Sequence, residues 1–248
     1  MYLIGDIGNT EIKVCIVDNK NKIIKRTTFS NYNISLLKLK INFDRFKKYL
    51  PKVEKILFCS VVPKSYKLIK KYLKGKSRIK CYEIKELSLS SIIKIKVNYN
   101  QVGSDRLANA ISLINKSNNF IIVDLGTATT FDVLVNNCYM GGIIAPGIEV
   151  SLNTLSDKAT LIPKINFKRI KKVIGVDTTS AVRSGFFWGY VGLIDNIVKL
   201  IKKETRKSFK IIITGGFSHL FATSLHKKAI INKDITINGL IKASDLVK

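Results

Sequence analysis

The sequence predicts an α/β protein made of two similar lobes that face each other across a central cleft. Three observations lead to this prediction: the chain length, an internal duplication, and the alternation of apolar strands with amphipathic helices. The chain has 248 residues, of which 46% are hydrophobic and 24% are charged. Such a chain is long enough for two lobes and too apolar for a disordered protein. We expect the lobes to be residues 1–117 and 118–248.

A duplicated motif defines the two lobes. Residues 3–10 read LIGDIGNT and residues 122–129 read IVDLGTAT, so in both an apolar strand ends in Asp-x-Gly and small polar residues. The two aspartates, Asp6 and Asp124, are 118 residues apart (124 − 6). A second apolar run follows each motif and ends in turn residues, which predicts a β-hairpin at the start of each lobe. In this arrangement the two turns approach one ligand from opposite sides.

The remaining elements alternate between helix and strand. Periodicity predicts helices over residues 43–50, 65–73, 104–115, 180–202 and 218–227, and buried strands over 56–61 and 210–213. The glycines of residues 141–147 predict a stretch rich in bends before a helix. The hydroxyls of residues 175–180 suit either a helix cap or a ligand contact. Gly215 and Gly216 end a strand, where α/β sheets bind ligands, although plain turn chemistry also explains them.

The bulk composition bears on function and location. No apolar run is long enough for a membrane helix, and we expect no signal peptide, no membrane partner and a cytoplasmic location. The net charge of +26 comes mostly from scattered lysines, which favours compositional drift over nucleic-acid binding. Because no cysteine pair has zinc-site spacing, we expect Cys15, Cys59 and Cys138 to be buried thiols. We assign no catalytic role to either histidine.

The first Asp-x-Gly turn has the composition of a phosphate-binding loop. Gly8 permits a close backbone approach and a left-handed turn, while Asn9 and Thr10 offer donors for phosphate oxygens. Lys13 adds a positive charge, and Asp6 suits a metal ion or its water shell. An ordinary hairpin explains one such motif equally well. Two copies at matching positions favour the phosphate-binding interpretation.

The second turn is richer in hydroxyls. Thr127, Thr129 and Thr130 surround Gly126, as in a second phosphate loop. A threonine-rich strand is the alternative, since β-branched residues favour sheets. That alternative does not account for Asp124 at the end of an apolar strand.

Residues 103–106, Gly-Ser-Asp-Arg, stand at a predicted helix start. Ser104 or Asp105 could simply cap this helix. A kinase that phosphorylates an alcohol needs a base for the hydroxyl proton and a cation near its anionic substrate. Asp105 suits the first role, and Arg106 suits a bidentate pair with a carboxylate.

Together these stretches resemble the type III pantothenate kinases, the first enzymes of coenzyme A synthesis. The resemblance runs from Asp6 to Gly216, with the motifs in the family's order. It implies the actin-like ATPase fold, with two ribonuclease-H-like lobes. It also implies ATP-dependent phosphorylation of the primary hydroxyl of pantothenate to 4′-phosphopantothenate.

The resemblance implies a role for each matching residue. Asp105 is the proton acceptor, and Asp124 binds a monovalent cation, K⁺ or NH₄⁺, while Mg²⁺ accompanies ATP. The residues implied to bind the nucleotide are Asp6, Ile7, Gly8, Asn9, Thr10, Glu11, Ile12, Lys13 and Thr127. Those implied to bind pantothenate are Tyr99, Gly103, Ser104, Asp105, Arg106 and Thr179. A homodimer is implied, in which the other subunit walls part of each pantothenate site.

The chain departs from the family before Gly103. The family places a substrate-contacting tyrosine and then a short loop, often containing Asn-Pro, ahead of this glycine. Here the loop is shorter and has no proline, and Tyr99 is the counterpart of that tyrosine. Two alternatives to pantothenate kinase activity stay open: a kinase of this fold for another small hydroxylated substrate, and a regulatory or nucleic-acid-binding protein on the same scaffold.

Overall fold

The computed structural model of the chain describes residues 1–115 and 117–247. Two compact units are present: Met1–Asn115 together with Asp234–Lys248, and Lys116–Lys233. The change of unit lies within two residues of the boundary expected from the sequence. From the sequence we expect the last residues in the second lobe, whereas the structure groups them with the first unit. The reason is that their helix packs closely on a helix of that unit, as described below.

Strands and helices alternate along the chain, as expected of an α/β protein. The strands are β1 (Tyr2–Ile7), β2 (Glu11–Val17), β3 (Ile23–Ser30), β4 (Lys55–Ser60), β5 (Cys81–Glu83), β6 (Lys94–Ile95), β7 (Phe120–Leu125), β8 (Ala128–Val135), β9 (Cys138–Pro146), β10 (Lys210–Thr214) and β11 (Ala229–Ile231). The α-helices are α1 (Leu36–Phe43), α2 (Pro63–Lys74), α3 (Ser104–Ser112), α4 (Ile148–Lys158), α5 (Thr178–Thr205), α6 (Ser218–Phe221) and α7 (Ile235–Ala243). In the part of the chain that the structure describes, no helix combines the length and the apolar character needed to cross a membrane.

Both units repeat one sheet topology, which confirms the duplication. In the first unit the strand order is β3–β2–β1–β4–β5, with β1 antiparallel to β2 and parallel to β4. In the second unit the order β9–β8–β7–β10–β11 has the same pattern of directions. Both predicted hairpins are therefore present. The carboxyl ends of the parallel strands meet at one edge of each sheet, the usual ligand edge.

Each unit has its own apolar core. In the first unit α2 buries Tyr66, Ile69 and Leu73, which lie three and four residues apart on one helical face. In the second unit α5 buries Phe187 and Ile194 among other residues at helical spacing. The three cysteines expected to be buried are indeed buried, and Cys81 is buried as well.

The C-terminal helix α7 belongs to the first unit because a glycine allows it to approach α3. A Cβ atom on Gly239 would lie 1.7 Å from the carbonyl oxygen of Ala108. The side chain of Thr236 donates a hydrogen bond to Asn109 over 2.8 Å, and Arg26 forms an ion pair with Asp234 over 2.7 Å. These contacts hold residues that are far apart in sequence, so no local pattern predicts them.

Two predicted helices differ from the observed structure. The first helix ends at Phe43, where the sequence predicts residues 43–50 to be helical, and a 3₁₀ turn follows it. This turn brings Phe43 and Phe46 together, with ring centroids 6.0 Å apart, since a 3₁₀ turn has three residues. The helix predicted over residues 218–227 ends at Phe221. Beyond it, the backbone N–H of His226 donates to the carboxylate of Asp195 instead of to a helical carbonyl.

The glycine-rich stretch at residues 141–147 is a strand and not a series of bends. It forms most of β9, which pairs with β8 through a shift of register between Val133 and Leu134. Gly141 lies at this irregularity with φ of 114°, a conformation that glycine adopts without strain. A glycine in a strand often marks a bulge of this kind.

Candidate active site

The turn between β1 and β2 is held from both ends by Asn31. The backbone N–H of Gly8 donates to Glu11 over 3.0 Å and closes the turn. The side-chain amide of Asn31 donates to the carbonyl of Gly8 over 2.7 Å, and its backbone N–H donates to the carbonyl of Thr10 over 2.9 Å. Asn31 is buried and accepts a further bond from Ser65. The turn is therefore preorganised, with Asn9 and Thr10 exposed. The left-handed turn that Gly8 would permit is not used, because Gly8 is not among the described glycines with positive φ.

Asp6 is a partly buried carboxylate at the end of β1. It lies opposite Cys59 in the parallel register, and the Cys59 thiol donates to Asp6 Oδ1 over 3.3 Å. Burial raises the pKa of Asp6 from 3.8 to about 6; the charge of Lys13 opposes this rise, and the charge of Asp105 adds to it. Asp6 and Asp105 are therefore close enough to repel each other, which favours a cation beside them.

Residues 103–106 form the start of α3, with Gly103 as the N-cap. The backbone N–H of Arg106 donates to Asp105 Oδ1 over 2.8 Å. Gly103 leaves room for this carboxylate, because a Cβ on Gly103 would lie 2.5 Å from Asp105 Oδ1. Burial raises the pKa of Asp105, while Arg106 and the charge of Lys85 lower it. A carboxylate whose pKa is raised towards neutrality is a stronger base than an exposed one.

A cavity of about 460 Å³ adjoins this helix start. Gly103 and Ser104 line it, together with Glu83, Lys85 and Asn100 from the preceding segment. Its volume is typical of a pocket for a small metabolite. It places a cationic and an anionic side chain beside the Gly-Ser-Asp-Arg motif.

The shortened loop before Gly103 is held by Lys85. The Tyr99 hydroxyl donates to the carbonyl of Lys85 over 3.2 Å, and the Lys85 ammonium donates to the carbonyl of Asn100 over 3.2 Å. The same ammonium lies 5.4 Å from the centre of the Tyr99 ring. Tyr99 itself does not line the described part of the cavity beside Gly103. Its hydroxyl is engaged with the backbone of Lys85.

The second turn, between β7 and β8, is closed by one backbone hydrogen bond and is approached closely by the backbone at two glycines. The N–H of Gly126 donates to the carbonyl of Ala128 over 3.1 Å. A Cβ on Gly147 would lie 2.0 Å from the carbonyl oxygen of Thr127, and one on Gly215 would lie 2.5 Å from the backbone of Leu125. Gly215 has φ of 87°, which favours glycine. The predicted glycine clusters are thus brought together around the second turn.

Asp124 lies in β7 beside this turn, and Thr127 lies in the turn itself. Asp124 is partly buried at the end of β7, paired with Thr130 on one side and Thr214 on the other. Thr127 is exposed, whereas Thr129 is fully buried in β8. The sheet therefore explains Thr129, and Thr127 is the hydroxyl of the turn that faces solvent.

The start of α5 has a helix cap that does not use the hydroxyl of Thr179. Asp177 is the N-cap: the backbone N–H of Ser180 donates to its carboxylate over 2.8 Å, and the Ser180 hydroxyl accepts from the N–H of Asp177 over 3.1 Å. This capping box stabilises the helix start. It uses the hydroxyl of Ser180 and not that of Thr179, which is partly buried at the second helical position.

Several residues of the site have no sequence motif that identifies them. Asn31, Cys59, Glu83 and Lys85 are adjacent to the motif residues only through the fold. Glu83 is the last residue of β5, and Asp6 is the last but one of β1; this position near a strand end is the one sequence signal that could have indicated Glu83. Within the described residues, no group of three or more His, Cys, Asp or Glu side chains could hold a metal ion by itself.

Comparison with known proteins identifies the family. The profile of type III pantothenate kinases matches residues 2–200. The type III pantothenate kinase of Pelagibacter ubique is 59% identical over 255 residues, covering 100% of both chains. That of Finegoldia magna is 36% identical over 260 residues, covering 100% of this chain and 98% of its own.

The fold has counterparts among solved structures. A ROK family glucokinase from Streptomyces griseus, solved with glucose and AMPPNP, has a TM-score of 0.55 at 11% identity and covers 98% of each chain. This likeness shows the fold of the actin-like ATPases and sugar kinases, as the sequence predicts. By its profile match and its full-length relatives, this chain belongs to the type III pantothenate kinase family.

Proposed function

We propose that this protein transfers the γ-phosphoryl group of ATP to the primary hydroxyl of pantothenate, the first step of coenzyme A biosynthesis. The main support is the full-length identity of 59% to the Pelagibacter ubique pantothenate kinase. The partly buried carboxylate of Asp105, next to Gly103 and Ser104 of the cavity, agrees with this reaction. Phosphoryl transfer depends mainly on positioning and charge stabilisation, which such a site supplies.

Asp105 is the proton acceptor in this proposal. Its carboxylate takes the proton of the pantothenate hydroxyl as the oxygen attacks the γ-phosphorus. Burial, which raises the pKa of Asp105, makes it a better acceptor at neutral pH. Arg106, at the next position, binds the pantothenate carboxylate, and Gly103 and Ser104 line the pocket. Tyr99 and Thr179 complete the residues assigned to pantothenate.

The first turn, from Asp6 to Lys13, binds the nucleotide phosphates in this proposal, and Thr127 is also assigned to the nucleotide. The backbone N–H groups and exposed side chains of the first turn are preorganised by Asn31. The repulsion between Asp6 and Asp105 fits a divalent cation, because a cation offsets it. Mg²⁺ commonly reaches such sites with the phosphates and needs only one or two carboxylates. Bound there, it would neutralise charge on the phosphoryl group.

Asp124 binds a monovalent cation, K⁺ or NH₄⁺, in the same proposal. Asp124 lies near the end of β7 beside the turn of Gly126 and Thr127, and turn carbonyls are suitable ligands for such a cation. The proposal also includes a cytoplasmic homodimer. Both features are drawn from the family resemblance and each needs its own measurement.

The acceptor is tested by ADP release from Mg-ATP with pantothenate, with glucose, and with no acceptor. Release that depends on pantothenate supports the proposal, and release with another acceptor alone would favour a different kinase of this fold. Salt-sensitive DNA binding without any ADP release would favour the regulatory alternative. Replacing K⁺ by Na⁺ tests the cation: stimulation by K⁺ that is lost in Asp124→Ala supports that role, and stimulation that survives opposes it.

A further inference from the structure

Glu83, the last residue of β5, joins three elements of the first unit through one carboxylate. The backbone N–H of Ser60, at the end of β4, donates to Glu83 Oε1 over 3.3 Å. The backbone N–H of Lys85 donates to Oε2 over 2.7 Å. Ser104, the first residue of α3, lines the same cavity as Glu83, and its hydroxyl acts on this carboxylate as a hydrogen-bond donor that lowers the pKa of Glu83. Glu83 therefore connects two strand ends to the helix start that presents Asp105.

The surroundings of Glu83 make these bonds strong and directional. Glu83 is partly buried and Ser104 is 4% exposed. Hydrogen bonds to a charged acceptor away from water are stronger than those between neutral groups. Burial raises the pKa of Glu83, and its three donors lower it, so they favour the ionised form.

Ser104 links the hydrogen bonds of Glu83 to Asp105, the proposed proton acceptor. Ser104 directly precedes Asp105, and both belong to the first turn of α3. Asp105 Oδ1 accepts from the N–H of the following residue, Arg106, so its carboxylate moves with this turn. A displacement of the turn therefore displaces the carboxylate.

We propose that Glu83 is a positioning residue for phosphoryl transfer: by holding Ser104 and Ser60 it fixes the Asp105 carboxylate at the start of α3. Glu83 does not itself exchange a proton with the substrate. The assignment rests on the proposed function, because it takes Asp105 as the proton acceptor.

The first test compares Glu83→Gln with Glu86→Gln. The amide introduced by Glu83→Gln has one acceptor atom for three donors and turns an N–H₂ group towards one of them. We expect kcat to fall about 10- to 100-fold, the cost of misplacing a catalytic group by about 1 Å, with KM for pantothenate changed less than about threefold. Glu86 is a matched control, since its carboxylate pairs with Lys70 at the surface over 3.3 Å. A kcat of Glu83→Gln equal to that of Glu86→Gln overturns the proposal.

A double-mutant cycle with Ser104→Ala separates positioning from a general loss of stability. If Glu83 acts through Ser104, the two losses in kcat are not additive, and the double variant is about as slow as the slower single variant. Additive losses overturn the proposal. If Glu83→Gln does not fold, Ser104→Ala removes the same Glu83–Ser104 interaction by changing the other residue. An unchanged kcat in Ser104→Ala then overturns the proposal.

Amide hydrogen exchange tests the positioning role of Glu83 independently of the proposed function. If the wild-type protein makes no phosphopantothenate, the proposed function fails. Amide exchange of residues 104–107 in Glu83→Gln and Glu86→Gln still tests whether Glu83 holds the start of α3. Faster exchange in Glu83→Gln alone supports the positioning role of Glu83, and equal exchange in the two variants overturns it.

Discussion

Asp6 is expected to lower the stability of the free protein at neutral pH. Its carboxylate is partly buried and lies near Asp105, and its pKa is raised from 3.8 to about 6. Replacement by Asn removes the charge and keeps a side-chain oxygen that can accept the bond from Cys59. We therefore expect Asp6→Asn to be more stable than the wild type at pH 8 in the absence of nucleotide, and to bind ATP more weakly.

The size of this effect follows from the change in pKa. A rise of about 2 pH units corresponds to about 3 kcal/mol of unfolding free energy, and solvent screening of a partly exposed group reduces this to about 1–3 kcal/mol. Between pH 3.8 and about 6 the folded protein binds more protons at Asp6 than the unfolded chain does, so stability falls as pH rises through this range. The full cost applies above pH 6, and it largely disappears by pH 4.

Thermal unfolding at pH 8 and pH 4 measures this effect, with Glu11→Gln as the control. Glu11 is exposed beside the same turn, so its replacement removes the same charge without a buried carboxylate. For a unit of this size 1 kcal/mol corresponds to roughly 4 °C. We expect Asp6→Asn to raise the melting temperature of the first unit by roughly 4–12 °C at pH 8, and much less at pH 4. An Asp6→Asn protein no more stable than Glu11→Gln at pH 8, or equally stabilised at pH 4, would refute the reasoning.

Two further predictions concern the cavity and the C-terminal helix. Lys85→Met removes a charge that lowers the pKa of Asp105, so the acid limb of the pH profile of kcat/KM should move to higher pH. In the surface control Lys80→Met the limb should stay in place. An unmoved limb in Lys85→Met would contradict this prediction. Gly239→Ala places a methyl group against the backbone of Ala108 and should destabilise the first unit by at least about 1–3 kcal/mol. Gly192→Ala is the control: Gly192 lies in α5 with open space around it, so this change should be neutral or stabilising by up to about 1 kcal/mol. If Gly239→Ala and Gly192→Ala change the unfolding free energy equally, the close approach of α7 to α3 does not cause the loss of stability.

The local elements of the fold are predictable from the sequence because they depend on neighbouring residues. Alternating apolar residues around Asp-x-Gly define both hairpins, and apolar spacing identifies α2 and α5. The earlier position of α1 and the early end of α6 are not predictable in this way. They depend on the packing of Phe46 against Phe43 and on the bond from His226 to Asp195, which are contacts outside each helix.

The site is predictable to the extent that its residues lie in motifs. Asp6, Asp105 and Asp124 stand at strand ends or a helix start, where chemistry and local structure coincide. Glu83, Lys85 and Asn31 lie outside any motif. Glu83 and Lys85 are placed by the parallel pairing of β5 with β4, and Asn31 is placed by the antiparallel pairing of β3 with β2. The membership of α7 in the first unit depends on a contact between Gly239 and Ala108, 131 residues apart (239 − 108), which no local pattern records.

The most direct test is ATP-dependent formation of 4′-phosphopantothenate by the wild-type protein and by Asp105→Asn, with product measured by mass spectrometry. We expect product with the wild type and a rate at least about 100-fold lower with Asp105→Asn, while both proteins bind ATP equally. No product from a wild-type protein that binds ATP, or a wild-type rate from Asp105→Asn, would contradict it.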